Sequence, residues 1–175
     1  MSGRSALLWD TTTLSRLTPF GPATAGVLND AIVGNPVRVA APAILEVAYG
    51  CQLAAKSDIR YLEHLGWLAR RIADGTFHVV PFDSHAALIA GRVRGRAPHA
   101  APRKGDRRSK TMRQAAWLLD IQIGATAFAT GLGVATSNRE DFERIAETLV
   151  DLFPTASPLR VDACPIASSA ATPPR

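Results

Sequence analysis

Short apolar runs bounded by turn residues alternate along the chain with longer stretches whose apolar positions recur at helical spacing. Four of the runs, Ala6–Trp9, Val37–Ala40, Phe77–Val80 and Val134–Thr136, read as buried parallel strands, in which both faces are covered and polar alternation is lost. Leu149–Phe153 is expected to add a fifth strand. A helix should begin near Thr11 and run to about Leu17, with Asp10 placed as its cap. Pro19, Gly21 and Pro22 break it before a second helical segment, Ala23–Ile32. Gly34-Asn35-Pro36 signals a turn, and Pro42 opens a helix reaching about Ala55. Ser57 is placed to cap a helix over Asp58–Ala73, whose Ile59, Leu62, Leu65, Leu68 and Ile72 share one face. Asp83 caps a helix to about Arg94, and Thr111–Thr130 forms a long helix closed by Gly131-Leu132-Gly133. A last helix covers Arg139–Glu147. Strands that alternate with helices predict an α/β fold: a three-layer sandwich, its central parallel sheet of four to five strands flanked by helices.

Four acids stand where the apolar runs end or are interrupted: Asp10 after ALLW, Glu46 inside PAILEVAYG, Asp120 inside AWLLDIQIGATA, and Asp141 in TSNREDF. A carboxylate in such a place costs desolvation energy unless something offsets it, and a shared cation or a helix N-terminus can do so. Each acid has a plain alternative. Asp10 can be only a helix cap, Glu46 can lie on a solvent stripe, and Asp141 can stabilise the first turn of a helix capped by Asn138. Asp120 sits in the most apolar helix and needs a ligand or a capping partner. Ligands in parallel sheets bind beyond the carboxyl ends of the strands, and topology brings Asp10, Glu46 and Asp141 to that edge.

The chain has 175 residues, 47% hydrophobic and 20% charged, which suits one domain with a substantial core. That domain is expected over residues 5–154, with a flexible tail rich in Pro, Ser and Ala over 155–175. No apolar run approaches the roughly 20 residues of a membrane span, and the short run near the N-terminus is no signal peptide. A cytoplasmic location is expected. Cys51 and Cys164 offer neither a metal-ligand spacing nor a disulfide framework. The histidines, His64, His78, His85 and His99, share no ligand spacing either. The net charge of +5 is concentrated: between Arg92 and Arg113 stand nine basic residues and one acid, Asp106. Such a stretch is either an arm that faces a polyanion or a solvated loop without a partner. It carries no interleaved aromatics on which bases could stack.

Taken together, LLWDTTTLSRL, APAILEVAYG and LLDIQIGATAFATGLGVATSNREDF, in this order and spacing, resemble the PIN-domain ribonucleases, most nearly the VapC toxins of bacterial toxin–antitoxin pairs. The family's strand ending in Asp corresponds to Asp10-Thr11-Thr12, and its Glu in the helix after the second strand to Glu46. Its Asp before an IAATA-like run corresponds to Asp120 with Ile123-Gly124-Ala125-Thr126-Ala127, and its T-R-N-x-x-D-F signature to Thr136–Phe142. Two departures stand out: Ser137 replaces the usual Arg, and Gly124 the usual Ala. The resemblance runs from about Leu7 to Phe153, and no family role attaches to the basic loop at 95–110.

The resemblance implies an endoribonuclease dependent on Mg²⁺ or Mn²⁺, leaving a 3′-hydroxyl and a 5′-phosphate. Asp10, Glu46, Asp120 and Asp141 would then be its catalytic metal ligands. A set of carboxylates without His or Cys suits a hard divalent cation. Thr11 and Thr12 could hydrogen-bond a ligand carboxylate or a bound water, and Thr136 and Asn138 would position the Asp141 loop. Arg103, Lys104, Arg107 and Arg108 are the candidate RNA-phosphate contacts. The implied partners are an RNA substrate and a small VapB-like antitoxin, received by an apolar groove around residues 32–61. The assembly expected is a homodimer or a toxin–antitoxin hetero-oligomer. A non-catalytic PIN-like module that binds RNA or protein remains the rival reading. Thr12 stands where a haloacid-dehalogenase-type phosphatase needs a second Asp. The chain also lacks G-x-G-x-x-G after its first strand, which argues against dinucleotide binding.

Overall fold

The computed structural model describes residues 6–19, 21, 24–28, 36–100 and 107–166. Its centre is a five-stranded, wholly parallel sheet formed by β1 (Leu7–Trp9), β2 (Val37–Ala40), β3 (Phe77–Val80), β4 (Gly133–Thr136) and β5 (Val161–Ala163), in the order β3-β2-β1-β4-β5. Leu8 pairs with Arg38 on one side and Val134 on the other, so β1 lies in the middle of the sheet. Parallel neighbours require crossovers, which the helices provide: α1 (Thr11–Leu14), α2 (Ala41–Ala54), α3 (Arg60–Ala73), α4 (Ser84–Arg96), α5 (Lys110–Ala129) and α6 (Arg139–Leu152). The central strands are apolar because both faces are covered. Leu8, Val39, Ala40, Val134 and Ala135 are wholly buried.

The helix signals act through identifiable bonds. Asp83 caps α4 by accepting from the Ala86 amide at 2.8 Å, and Ser109 caps α5 by accepting from the Met112 amide at 3.2 Å. Gly131 ends the α5 region at φ 68, a conformation that glycine adopts without Cβ strain. Trp117 donates its indole N–H to the Ala97 carbonyl at 2.9 Å, tying α5 to the end of α4.

Several sequence expectations need correction. Leu149–Phe153 is not a strand: α6 continues to Leu152, because Phe142, Ile145 and Leu149 repeat at helical spacing and are wholly buried. The fifth strand is instead Val161–Ala163, inside the stretch read as a flexible tail. Leu159 and Ile166 are buried there, so the tail expectation fails as far as residue 166, and 167–175 lie outside the described residues. Ser57 does not cap α3, since its hydroxyl donates back to the Ala54 carbonyl and the helix starts at Arg60. Helix α1 is a single turn, and only residues 24–28 of the second expected helix are described. Both cysteines are free thiols, and among the described residues no helix is long and apolar enough to cross a membrane.

Candidate functional site

At the carboxyl end of β1, Asp10 is almost fully buried. Leaving that carboxylate unpartnered would cost several kcal/mol. It is instead held from three sides: the Thr13 amide donates to Oδ1 at 2.8 Å, the Thr136 hydroxyl to Oδ2 at 2.6 Å, and the Thr12 hydroxyl lies 3.0 and 2.8 Å from the two oxygens. Asp10 therefore caps α1 and also locks β1 to the end of β4. The Thr12 and Thr136 hydroxyls face both ways. Thr12 accepts from the Ser137 amide at 3.0 Å, and Thr136 from the Asn138 amide at 2.8 Å. These bonds shape the turn that leads into α6.

The other three acids surround one cleft of about 170 Å³, lined also by Thr11, Thr12, Trp117, Asn138, Arg108 and Arg113. Glu46 reaches it from the second turn of α2, Asp120 from the middle of α5, and Asp141 from the first turn of α6. Asp141 is buried, whereas Glu46 and Asp120 are partly exposed. The Asn138 side-chain amide donates to Asp120 Oδ2 and to Asp141 Oδ2, each at 3.0 Å. One nitrogen thus gathers two carboxylates from two helices. This corrects the expectation that Asn138 caps α6, because its side chain makes no capping hydrogen bond. Asp141 remains in the first helical turn, where its charge complements the helix dipole.

The structure therefore brings Glu46, Asp120 and Asp141 to one cleft, together with Thr11, Thr12 and Asn138. Asp10 does not line it and connects to it through Thr12. The donor set suits a hard cation, being oxygen throughout, and the buried Thr11 hydroxyl at the cleft has no hydrogen-bond partner among the described residues. Among the described residues, no three acidic, His or Cys side chains are gathered as a ready set of metal ligands. Glu46, Asp120 and Asp141 are the residues that would hold a cation in the cleft, with Asp10 behind them.

Of the expected phosphate contacts, Arg108 lines the cleft and Arg107 is exposed nearby, while Arg103 and Lys104 lie outside the described residues. Arg113, on the first turn of α5, also lines the cleft and donates to the Arg108 carbonyl at 2.8 Å. Sequence reasoning counted Arg113 in the basic stretch without singling it out. Its position two helical turns before Asp120, on the same face of α5, is the available signal.

Neither a family model nor a curated protein matches the sequence. Solved structures do. A DNA-bound VapBC from Salmonella typhimurium matches at TM-score 0.58 and 19% identity, over 91% of this chain and 98% of that one. VapBC2 from Rickettsia felis, bound to a DNA fragment from its promoter, matches at TM-score 0.58 and 15% identity, over 90% and 98%. FitAcB from Neisseria gonorrhoeae matches at TM-score 0.54 and 21% identity, over 89% and 96%. The fold is PIN-like, that of the VapC-type toxins. At these identities the likeness concerns the fold, and the chemistry rests on the residues of this chain.

Proposed function

We propose that the chain is a divalent-cation-dependent endoribonuclease, the toxin of a toxin–antitoxin pair, which hydrolyses RNA phosphodiester bonds and so inhibits translation and growth. The observation that carries this reading is the cleft itself, where three carboxylates from three helices meet two arginines at the carboxyl edge of a parallel sheet. Mg²⁺ or Mn²⁺ bound among these oxygens supplies positive charge to the scissile phosphate and increases the acidity of water. The chain's own groups do the rest. Arg108 and Arg113 draw the RNA backbone to the cleft, which their positive charge makes favourable beside the acids. The Thr11 hydroxyl is placed to donate to a phosphate oxygen or to water. Asp10 fixes Thr12 and Thr136, and through them the turn that carries Asn138 and Asp141. Attack of water in line with the leaving 3′ oxygen gives a 3′-hydroxyl and a 5′-phosphate.

The antitoxin reading has its own support. Leu45, Tyr49 and Leu53 recur every fourth residue on α2 and are 64, 64 and 45% exposed, and Ile59 and Leu62 beyond them are also exposed. An apolar stripe of this kind is costly to leave in water and suits an apolar peptide face. It falls within the region expected to receive an antitoxin, of which residues 32–35 are not described. A homodimer would cover the same kind of surface.

The rival reading is a PIN-like module that binds RNA or protein without cutting it. The two readings part in one experiment. Purified protein should cleave RNA with Mg²⁺ or Mn²⁺ and arrest growth when expressed in bacteria. Asp10→Asn and Asp120→Asn should abolish both while the protein stays folded. If the doubly substituted protein cuts as fast as the wild type, the nuclease reading is wrong.

A further inference from the structure

On the far side of Thr12 and Asn138 from the acids lies a second, more open depression of about 450 Å³, lined by Thr12, Ser137, Asn138, Arg139 and Glu140. It shares Thr12 and Asn138 with the acid cleft, so the two are neighbours. Arg16, just past α1, is bonded to Ser137 of its lining. The Arg16 guanidinium donates Nη2 to the Ser137 hydroxyl at 2.9 Å and Nη1 to the Ile166 carbonyl at 3.2 Å. Both acceptors are neutral, and Arg16 makes no ion pair among the described residues. An arginine held by neutral oxygens keeps its full charge and most of its five donors for another anion. Arg139, by contrast, is paired with Glu143 at 2.8 Å.

We propose that Arg16, oriented by Ser137 and Ile166, forms a second phosphodiester subsite that holds an RNA phosphate next to the one in the acid cleft. The subsite rests on the nuclease reading and adds to it a binding register. A continuous chain of hydrogen bonds, from Asp10 through the Thr12 hydroxyl and the Ser137 amide and side chain to Arg16, sets the spacing between the two phosphates. Such preorganisation lets the charge act without first ordering a flexible side chain. Glu140, which also lines the depression, disfavours a phosphate beside it, so the strand runs toward Arg16.

The test measures binding rather than cutting. Full-length protein carrying Asp120→Asn is titrated with a short fluorescent single-stranded RNA over a range of salt concentrations. Each phosphate contact contributes about 0.7 to the slope of log K against log salt. Arg16→Gln should weaken binding several-fold and lower the slope by about that amount. Arg16→Lys should retain most of the slope, and Arg60→Gln, in an ion pair with Asp58 on α3, should change neither. A lower melting temperature for Arg16→Gln with an unchanged salt slope would make Arg16 a structural pin and overturn the subsite. A parent that binds no RNA overturns the subsite and the nuclease reading together. A wild type that cuts RNA, combined with a slope indifferent to Arg16, overturns the subsite alone.

Discussion

Asn138 is the sharpest point at which to perturb the cleft, because one amide nitrogen holds oxygens of Asp120 and Asp141 at 3.0 Å each. The two anions therefore lie within twice that distance of each other, and their repulsion is on the order of 3 kcal/mol at an effective dielectric near 20. Hydrogen bonds to charged acceptors contribute about 1.5–3 kcal/mol each, less where one partner is partly exposed, as Asp120 is. Asn138→Ala removes both bonds and no helix cap, since the side chain makes no capping contact. The expected cost is about 2–4 kcal/mol, which for a domain of this size lowers the melting temperature by roughly 5–15 °C. Thermal unfolding without and with Mn²⁺ is the assay. A cation stabilises by RT ln(1 + [L]/Kd), about 2.7 kcal/mol at a hundredfold excess over Kd, and it competes with the amide for the same oxygens. Mn²⁺ should therefore raise the melting temperature of Asn138→Ala more than that of the wild type. Asn138→Asp, which adds a third negative charge, should be less stable still in EDTA and should gain most from Mn²⁺. If Asn138→Ala melts within about 2 °C of the wild type, or Mn²⁺ shifts all three proteins equally, the amide does not restrain two repelling acids.

Two further predictions concern the frame around the cleft. A Cβ at Gly124 on α5 would meet Ile145 Cγ2 of α6 at 2.8 Å, and Ile145 is wholly buried and β-branched, so it cannot turn away. Overpacking costs about 1–3 kcal/mol against about 1 kcal/mol of helix propensity gained, so Gly124→Ala should lower stability modestly in urea melts. In an Ile145→Ala background the same change should turn neutral or stabilising, and simple additivity would refute the close packing. His64 on α3 is half-buried, and burial holds its imidazole below the ordinary 6.5. The unfolded chain then binds the proton more readily, so this contribution to stability is complete above the unfolded value and is lost as the pH falls through it toward the folded one. His64→Gln should flatten the pH dependence of unfolding below about pH 6.5, and an unchanged slope would show that the imidazole is not desolvated.

Four of the five strands, the caps at Asp10 and Asp83 and the edge on which the acids gather were legible in the sequence because they depend on local spacing and on the topology of a parallel sheet. Apolar runs mark strands, crossovers must be helical, and residues just beyond strand ends then share an edge without any knowledge of their contacts. Whatever depends on a contact distant in sequence was not legible. The run at Leu149–Phe153 is as apolar as a strand, and only its continuation of the buried face of α6 makes it helix, while the short Val161–Ala163 becomes a strand because β4 offers an open edge. Asn138 illustrates the same limit at the site. Its position before a helix suggests a cap, in which Oδ1 would accept a backbone N–H, but carboxylates on α5 and α6 take its Nδ2 in strong charge-assisted bonds and hold the side chain where it makes no capping bond. Ser137, read as the loss of an arginine, receives the guanidinium of Arg16 from just past α1. The charge expected at one position of the turn is thus supplied by a residue 121 positions away, and pattern reading along a single chain has no means of seeing such an exchange. On the proposed nuclease reading, the acids alone do not set which phosphates of an RNA are held, since the cations beside them, Arg16, Arg108 and Arg113, lie outside the acidic motif, and Arg16 is placed by bonds to residues distant in sequence.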